Sequence, residues 1–275
     1  MAALMFTACL AIIFGVKEPP RMDSTWESKP TMNLFKGLKE IFKNVPFLYL
    51  TGMFTSAWVS LNLLTSNLFL YVKYVIEKEE YYTIMLFVLL GSCTVALPFW
   101  AYASKKLGKK TVYYLGAAEL TVIIALIAVF PASVPFYIII FVAAFAGIGL
   151  AVLYLIPYAM IPDVIEYDQL HTNERREGAY FSLYVFMEKF TLAIALALSG
   201  WILQLVGYLN PDEQQGEDEQ PQSVLISLRV LVGLIPCILL GFSIICAWKY
   251  PITKKYHAEI VAQLQEREIM TPPIL

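Results

Sequence analysis

Six stretches of this chain stay apolar for about twenty residues or more: roughly Pro46–Tyr71, Tyr81–Ala103, Thr111–Phe130, Pro135–Ile161, Ala179–Gly207 and Ser223–Trp248. At 1.5 Å per helical residue, a run of that length crosses a hydrocarbon layer about 30 Å thick. No water reaches the backbone there, so each run must satisfy its own N–H and C=O groups, and it reads as a helix. The expected fold is an all-α membrane protein, with a six-helix bundle over 46–248. Composition excludes the main alternative. Of 275 residues, 59% are hydrophobic and only 15% charged, against about 25% charged in soluble domains. The same balance excludes a disordered chain. A net charge of −2 gives no reason to expect a nucleic-acid partner. The first partner is the lipid bilayer, and the location is an integral, multi-pass one.

The flanks divide the remaining chain. Residues 1–16 (MAALMFTACLAIIFGV) read as the end of a preceding membrane helix, which makes the chain a fragment. Residues 17–45 are polar and broken by Pro19, Pro20 and Pro30, and their Leu34–Phe42 part has the spacing of an interfacial helix. Residues 249–275 form an amphipathic tail. Of the 20 Lys and Arg residues, only Lys73 and Lys78 fall in one set of loops, while Lys189 and Arg229 fall inside spans. All others lie in the flanks or in the alternate loops, which the positive-inside bias assigns to the cytoplasm.

Enzyme chemistry finds no footing. The cysteines Cys9, Cys93, Cys237 and Cys246 sit in apolar stretches without a CxxC pair, and His171 and His257 cannot build a histidine-rich metal site. No phosphate loop, nucleophile elbow or zinc-protease motif occurs. The expectation is therefore a protein that is not an enzyme and has no resident cofactor or metal.

Residues that break the apolar pattern are the candidates for function. Lys189 falls about 15 Å into its span, near the membrane midplane. A charge there is expensive and should face protein or a water-filled cavity, as a substrate or counter-ion contact or as an internal salt bridge. Glu188 is adjacent, but neighbours on a helix point about 100° apart and are not expected to pair. Ser182, Phe186, Ala193 and Gly200 share the face of Lys189. In the first full span, Thr51, Thr55, Trp58, Asn62, Ser66 and Phe69 recur at helical spacing as a polar stripe. It lines a cavity or packs helices through small polar groups. Glu119, inside the third span, is an ion or proton site or a pairing residue. Ala143, Gly147 and Ala151, with Gly149 and Pro157, permit close helix approach or bending. The segment 162–178 (PDVIEYDQLHTNERREG) reads as a cytoplasmic loop. Its Asp163, Glu166, Asp168, Arg175 and Arg176 suggest a gate or latch between helices, the alternative being a solvated linker.

The motif PDVIEYDQLHTNERREGAYFSLYVFMEKF at Pro162–Phe190 resembles the glycoside–pentoside–hexuronide:cation symporters of the major facilitator superfamily. GVKE at Gly15–Glu18, FKGLKEIF at Phe35–Phe42, PFW at Pro98–Trp100, LGKKTVYYLG at Leu107–Gly116, IPDVI at Ile161–Ile165 and YPI at Tyr250–Ile252 resemble its animal branch of sodium-dependent lysophosphatidylcholine symporters. The resemblance covers nearly the whole chain. It implies a carboxy-terminal transporter half, helices seven to twelve plus the end of helix six, with an amino-terminal half as partner. It makes Lys189 the essential lysine of the eleventh helix, beside a lipid headgroup or a sugar. It implies sodium as coupling ion, held mainly by acidic residues of helices two and four, which this sequence lacks. The threonine that sugar-carrying relatives have one turn before the lysine is Val185 here, and the run Tyr180, Phe181, Tyr184 and Phe186 leans towards a lysolipid. EYDQLHTNERREG keeps the form common in bacterial members. Expected substrates are thus a lysophospholipid or, as the alternative, a glycoside; a non-transporting truncated isoform is the third reading. The expected membrane is the plasma membrane or the endoplasmic reticulum.

Overall fold

The computed structural model describes residues 41–131, 133–209 and 220–270, with side chains as far as Arg267. The expected helix end at 1–16 and nearly all of the 17–45 linker lie outside the described residues. The described chain forms helices α1 (Val45–Tyr74), α2 (Tyr82–Leu107), α3 (Lys109–Ala128), α4 (Phe136–Thr172), α5 (Glu177–Leu205), α6 (Gln222–Arg229), α7 (Ile235–Lys249) and α8 (Lys254–Met270). A π-helical turn, Val230–Leu234, joins α6 to α7 as one span. Pro236 explains the turn: it has no N–H to donate and its ring crowds the carbonyl one turn earlier, so the ladder re-registers. Six spans are long and apolar enough to cross a membrane, and no strand occurs among the described residues.

Packing centres on α1 and α4. Helix α1 lies against α5 and α7, and α4 against α2 and α3. Lipid tails are as apolar as leucine, so polar groups and small residues must supply much of the contact energy between helices. A buried polar line on α1 does this. Ser60 donates to the Pro236 carbonyl at 3.1 Å, Asn67 accepts from Ser199 at 2.6 Å, and the Met53 carbonyl accepts from Ser243 at 2.8 Å. Ser243 also bonds the hydroxyl of Tyr113 from α3. Glycines set the closest approaches. A Cβ at Gly116 would run into Val152, and one at Gly147 into Leu89 and Ser92. The expected close contact through Gly147 is therefore met by α2. Arg229, which could snorkel from the outer end of its span, instead donates to the Ala128 carbonyl at the end of α3 (3.1 Å), where the helix dipole favours a cation.

One boundary differs from the sequence expectation. The segment 162–178 is not a loop. Helix α4 runs without a break through Pro157 and Pro162 to Thr172, and only Asn173–Arg176 connects it to α5. Asn173 takes the left-handed conformation (φ 54°) that ends the helix. At 37 residues α4 is about 55 Å long, well beyond a hydrocarbon core of about 30 Å. Its last turns, from Asp163 onward, carry the helix past that thickness as a post, with Val164, Ile165 and Asp168 still buried. Within the tail, α8 packs along this post.

Candidate functional site

Three helices each bring a side-chain pair spaced four residues apart to one place. Residues i and i+4 of a helix stand one above the other, about 5–6 Å apart at Cβ. Helix α1 supplies Phe54 and Trp58, α4 supplies Tyr154 and Tyr158, and α5 supplies Tyr184 and Glu188. Phe54 stacks on Tyr184 with ring centroids 3.8 Å apart. Trp58 meets Tyr154 edge-on at 5.1 Å, and Tyr158 meets Tyr184 edge-on at 4.8 Å. Phe54 and Tyr184 are buried and form the base, while Tyr154 and Tyr158 are exposed and form the wall.

The wall ends in charge. Tyr158 donates its hydroxyl to Glu188 Oε2 at 2.7 Å, and Lys189 Nζ donates to Glu188 Oε1 at 3.1 Å. Adjacent residues on α5 do pair, contrary to the expectation from their angular separation, because the four-carbon lysine stem reaches back across it. The pair is lopsided in exposure: the Lys189 side chain is 69% exposed and that of Glu188 is 23% exposed. The rest of the face expected around Lys189 is open as well, with Ser182, Phe186, Ala193 and Gly200 all exposed. Phe186 stacks on Phe190 at 5.8 Å and makes no ring contact with α1 among the described residues. Ser182 and Phe186 thus share the face of Lys189 but stand apart from the wall.

On α1 the polar stripe keeps to the less buried side. Thr51, Thr55, Trp58 and Asn62 are half-buried, and Ser66 and Phe69 are exposed. Thr55 and Ser66 return their hydroxyls to carbonyls of their own helix, Thr51 at 2.8 Å and Asn62 at 2.7 Å. Trp58 Nε1 and Asn62 Nδ2 are buried donors without a hydrogen-bond partner among the described residues. The Tyr184 hydroxyl in the base is a third. Buried donors are nearly always satisfied, so orphans gathered at one wall mark a place where an acceptor fits. Behind them lies an apolar cavity of about 160 Å³, with Asn62 and Tyr154 in its lining and otherwise mainly Leu, Ile and Val from α1–α4. Such a cavity stays dry and accepts hydrocarbon.

The remaining candidates fall in two other places. Glu119 packs between α3 and α4 against Gly149, with both carboxylate oxygens buried and unpartnered among the described residues. It is not part of the wall. The five charged residues expected at a gate sit at the projecting end of α4 and just after it. Asp163 is buried and binds Lys109 Nζ at 2.6 Å; His257 of α8 bonds Glu166 at 2.8 Å and lies 3.3 Å from Asp163. Arg176 binds Glu174 at 2.9 Å and approaches Asp168 at 3.8 Å, and Arg175 pairs with Glu177. Asn44, capping α1, donates to the hydroxyl of Tyr180 at 2.9 Å and to the Val164 carbonyl at 3.4 Å. This knot ties α1, α3, α4, α5 and α8 together. His257, Tyr154, Tyr158 and Phe54 were not among the sequence candidates. The i, i+4 aromatic spacing of Phe54–Trp58 and Tyr154–Tyr158 was the signal that could have found the wall.

Residues 1–254 match the family described as MFS/sugar transport protein. The chain is 34% identical to an uncharacterized symporter of Synechocystis, over 86% of this chain and 43% of that protein. It is 31% identical to the sodium-dependent lysophosphatidylcholine symporter 1 of Gallus gallus, over 95% of this chain and 49% of that protein. It is 28% identical to a sphingosine-1-phosphate transporter of Mus musculus, over 91% and 50%. The chain spans about half the length of these curated relatives.

Proposed function

Because the chain belongs to the MFS/sugar transport protein family of the major facilitator superfamily, we propose that it supplies one half of a cation-coupled symporter for a lysophospholipid such as lysophosphatidylcholine. The observation that carries this reading is the adjacency of three surfaces. An apolar cavity is lined in part by Asn62 and Tyr154, an aromatic wall stands beside it, and the Glu188–Lys189 pair closes the wall. A lysophospholipid has the same three parts. Its acyl chain gains by leaving water for the cavity. Its phosphate matches Lys189, a compact charge that can bind and release. A quaternary ammonium matches the faces of Tyr154, Tyr158 and Trp58, with the Glu188 carboxylate close by. A glycoside would leave the cavity unused.

Alternating access needs a cavity between two halves, and the exposed face of Ser182, Phe186 and Lys189 is where we expect an amino-terminal half to close over the substrate. Sodium is the expected coupling ion, with its main ligands in that half. Thr55, Trp58 and Asn62 would line the path. The plasma membrane or the endoplasmic reticulum is the expected location, and no enzymatic step is proposed. The test is uptake into proteoliposomes carrying the complete two-halved transporter. Sodium-dependent uptake of labelled lysophosphatidylcholine is expected to exceed uptake of labelled melibiose. The reverse order would refute the lysolipid reading in favour of the glycoside one.

A further inference from the structure

A second cavity, of about 520 Å³, lies at the end of the bundle that the lysine bias assigns to the cytoplasm. Unlike the first cavity, it carries charge on an otherwise mainly apolar lining. Lys105, Lys109, Lys110, Lys254, Lys255 and His257 all line it, over a floor that includes Leu107, Met160 and Ile252. Three of the lysines are held by the protein. Lys109 binds Asp163 and the Ala159 carbonyl, Lys110 the carbonyls of Trp248 and Tyr250, and Lys254 the carbonyls of Lys105 and Lys106. Carbonyl dipoles fix an ammonium in place but do not cancel its charge. Asp163 is the one acid in the lining, and it is shared between Lys109 and His257. Lys105 and Lys255 are exposed and have no partner among the described residues.

The backbone does not tip this balance. Helix α3 begins at Lys109 and α8 at Lys254, but α2 ends at Leu107 and α7 at Lys249 beside them, so helix ends of both signs meet here and the excess positive charge is that of the lysine side chains. Unbalanced like charges held this close repel one another, and an anion relieves the repulsion. We propose that this cavity binds a phosphate-bearing anion, the headgroup of an anionic phospholipid in the surrounding leaflet. Its depth suits that source. It opens where the spans end, and its apolar floor can take the glycerol end of a lipid while the lysines take the phosphate. A bound headgroup would bridge the α2–α3 turn at Gly108 to the start of α8. It would then hold the tail helix against the post of α4. This site is separate from the aromatic wall and does not depend on what the wall carries.

The experiment is hydrogen exchange of α8 in the full chain, in nanodiscs of phosphatidylcholine alone or phosphatidylcholine mixed with phosphatidic acid. The lipid mixture is expected to slow exchange in α8 roughly thirtyfold, the scale set by two lysines at a membrane surface. The paired change Lys105→Gln with Lys255→Gln should remove most of that slowing. Neither side chain has a partner to lose, so folding is spared. Lys106→Gln should retain it, because Lys106 stands over the ring of Tyr102 and does not line the cavity. Equal slowing in all three proteins would overturn the site in favour of diffuse attraction to the leaflet, and no slowing in the unaltered chain would overturn it outright. Slowing by inorganic phosphate in phosphatidylcholine nanodiscs would assign the site to a soluble phosphate and overturn the lipid headgroup.

Discussion

Lys109 and Lys189 are both lysines on membrane-spanning helices, and their surroundings are opposite. Lys109 meets Asp163 at 2.6 Å and the Ala159 carbonyl at 2.8 Å, and the acid it binds is only 8% exposed. Lys189 has Glu188 alone, at 3.1 Å on the same helix, and its own side chain is 69% exposed. The first pair joins two helices directly; the second lies within one helix and reaches α4 only through the Tyr158 hydroxyl on Glu188. Lys109 thus fastens α3 to α4. Lys189 faces out of this half, on the side where we propose that the substrate and the amino-terminal half meet it. The contrast extends to the groups around each lysine. The knot at the end of α4 joins Asn44, Tyr180 and His257 to partners on other helices and sets its unbonded Arg176 Nη1 and Asp168 Oδ2 3.8 Å from each other, whereas the wall beside Lys189 leaves Trp58 Nε1 and Asn62 Nδ2 with no group of opposite character paired to them.

The largest effect on the closed side is expected from Asp163→Ala. It strips Lys109 and His257 of their shared acid, and breaking such a pair should cost about 2–3 kcal/mol, read as a fall in folded yield and in the thermal unfolding midpoint in detergent. A gate, as the sequence suggests for this cluster, predicts the other pattern: uptake lost at unchanged stability. Next comes Asn44→Ala, which removes both the cap of α1 and its bond to Tyr180. About 1–2 kcal/mol of stability is expected to go. Denaturation without any change in midpoint would show that the knot does not fasten α1. The smallest change is on the open side. Tyr158→Phe deletes one hydroxyl, the donor to Glu188, and should weaken substrate handling by about 1 kcal/mol, a several-fold rise in KM for uptake, with the unfolding midpoint held. A drop in midpoint instead would move the wall to the structural side of the comparison.

The six spans were legible because an apolar run of twenty residues has few alternatives. The end of the fourth was not. Pro157 and Pro162, followed by a charged string, look like a helix stop and a loop. In the folded chain Lys109 caps the Ala159 carbonyl near the proline break and binds Asp163 one turn on, so a partner from α3 supports what local sequence would end. Lys189 stood out because a lone charge in an apolar run is conspicuous by itself. The wall beside it was not seen, since tyrosines within membrane helices are unremarkable one at a time. Which faces of α1, α4 and α5 meet is decided by packing among them. His257 was weighed only as a metal ligand, and its role as the link from α8 to Glu166 depends on a contact 91 positions away.

Lys189 is proposed to meet a substrate, and uptake per folded molecule separates that role from a structural one. Lys189→Ala and Lys189→Arg would be introduced into the complete transporter, with folded abundance and sodium-dependent lysophosphatidylcholine uptake measured on the same samples. Near-normal abundance is expected for Lys189→Ala, because Glu188 keeps its bond from Tyr158, with uptake reduced at least about tenfold, the loss of one charge-assisted contact to phosphate. Lys189→Arg should restore little of it, since a planar fork does not reproduce a compact ammonium. Uptake per folded molecule close to that of the unaltered protein in Lys189→Ala would contradict the claim and return Lys189 to the company of Lys109.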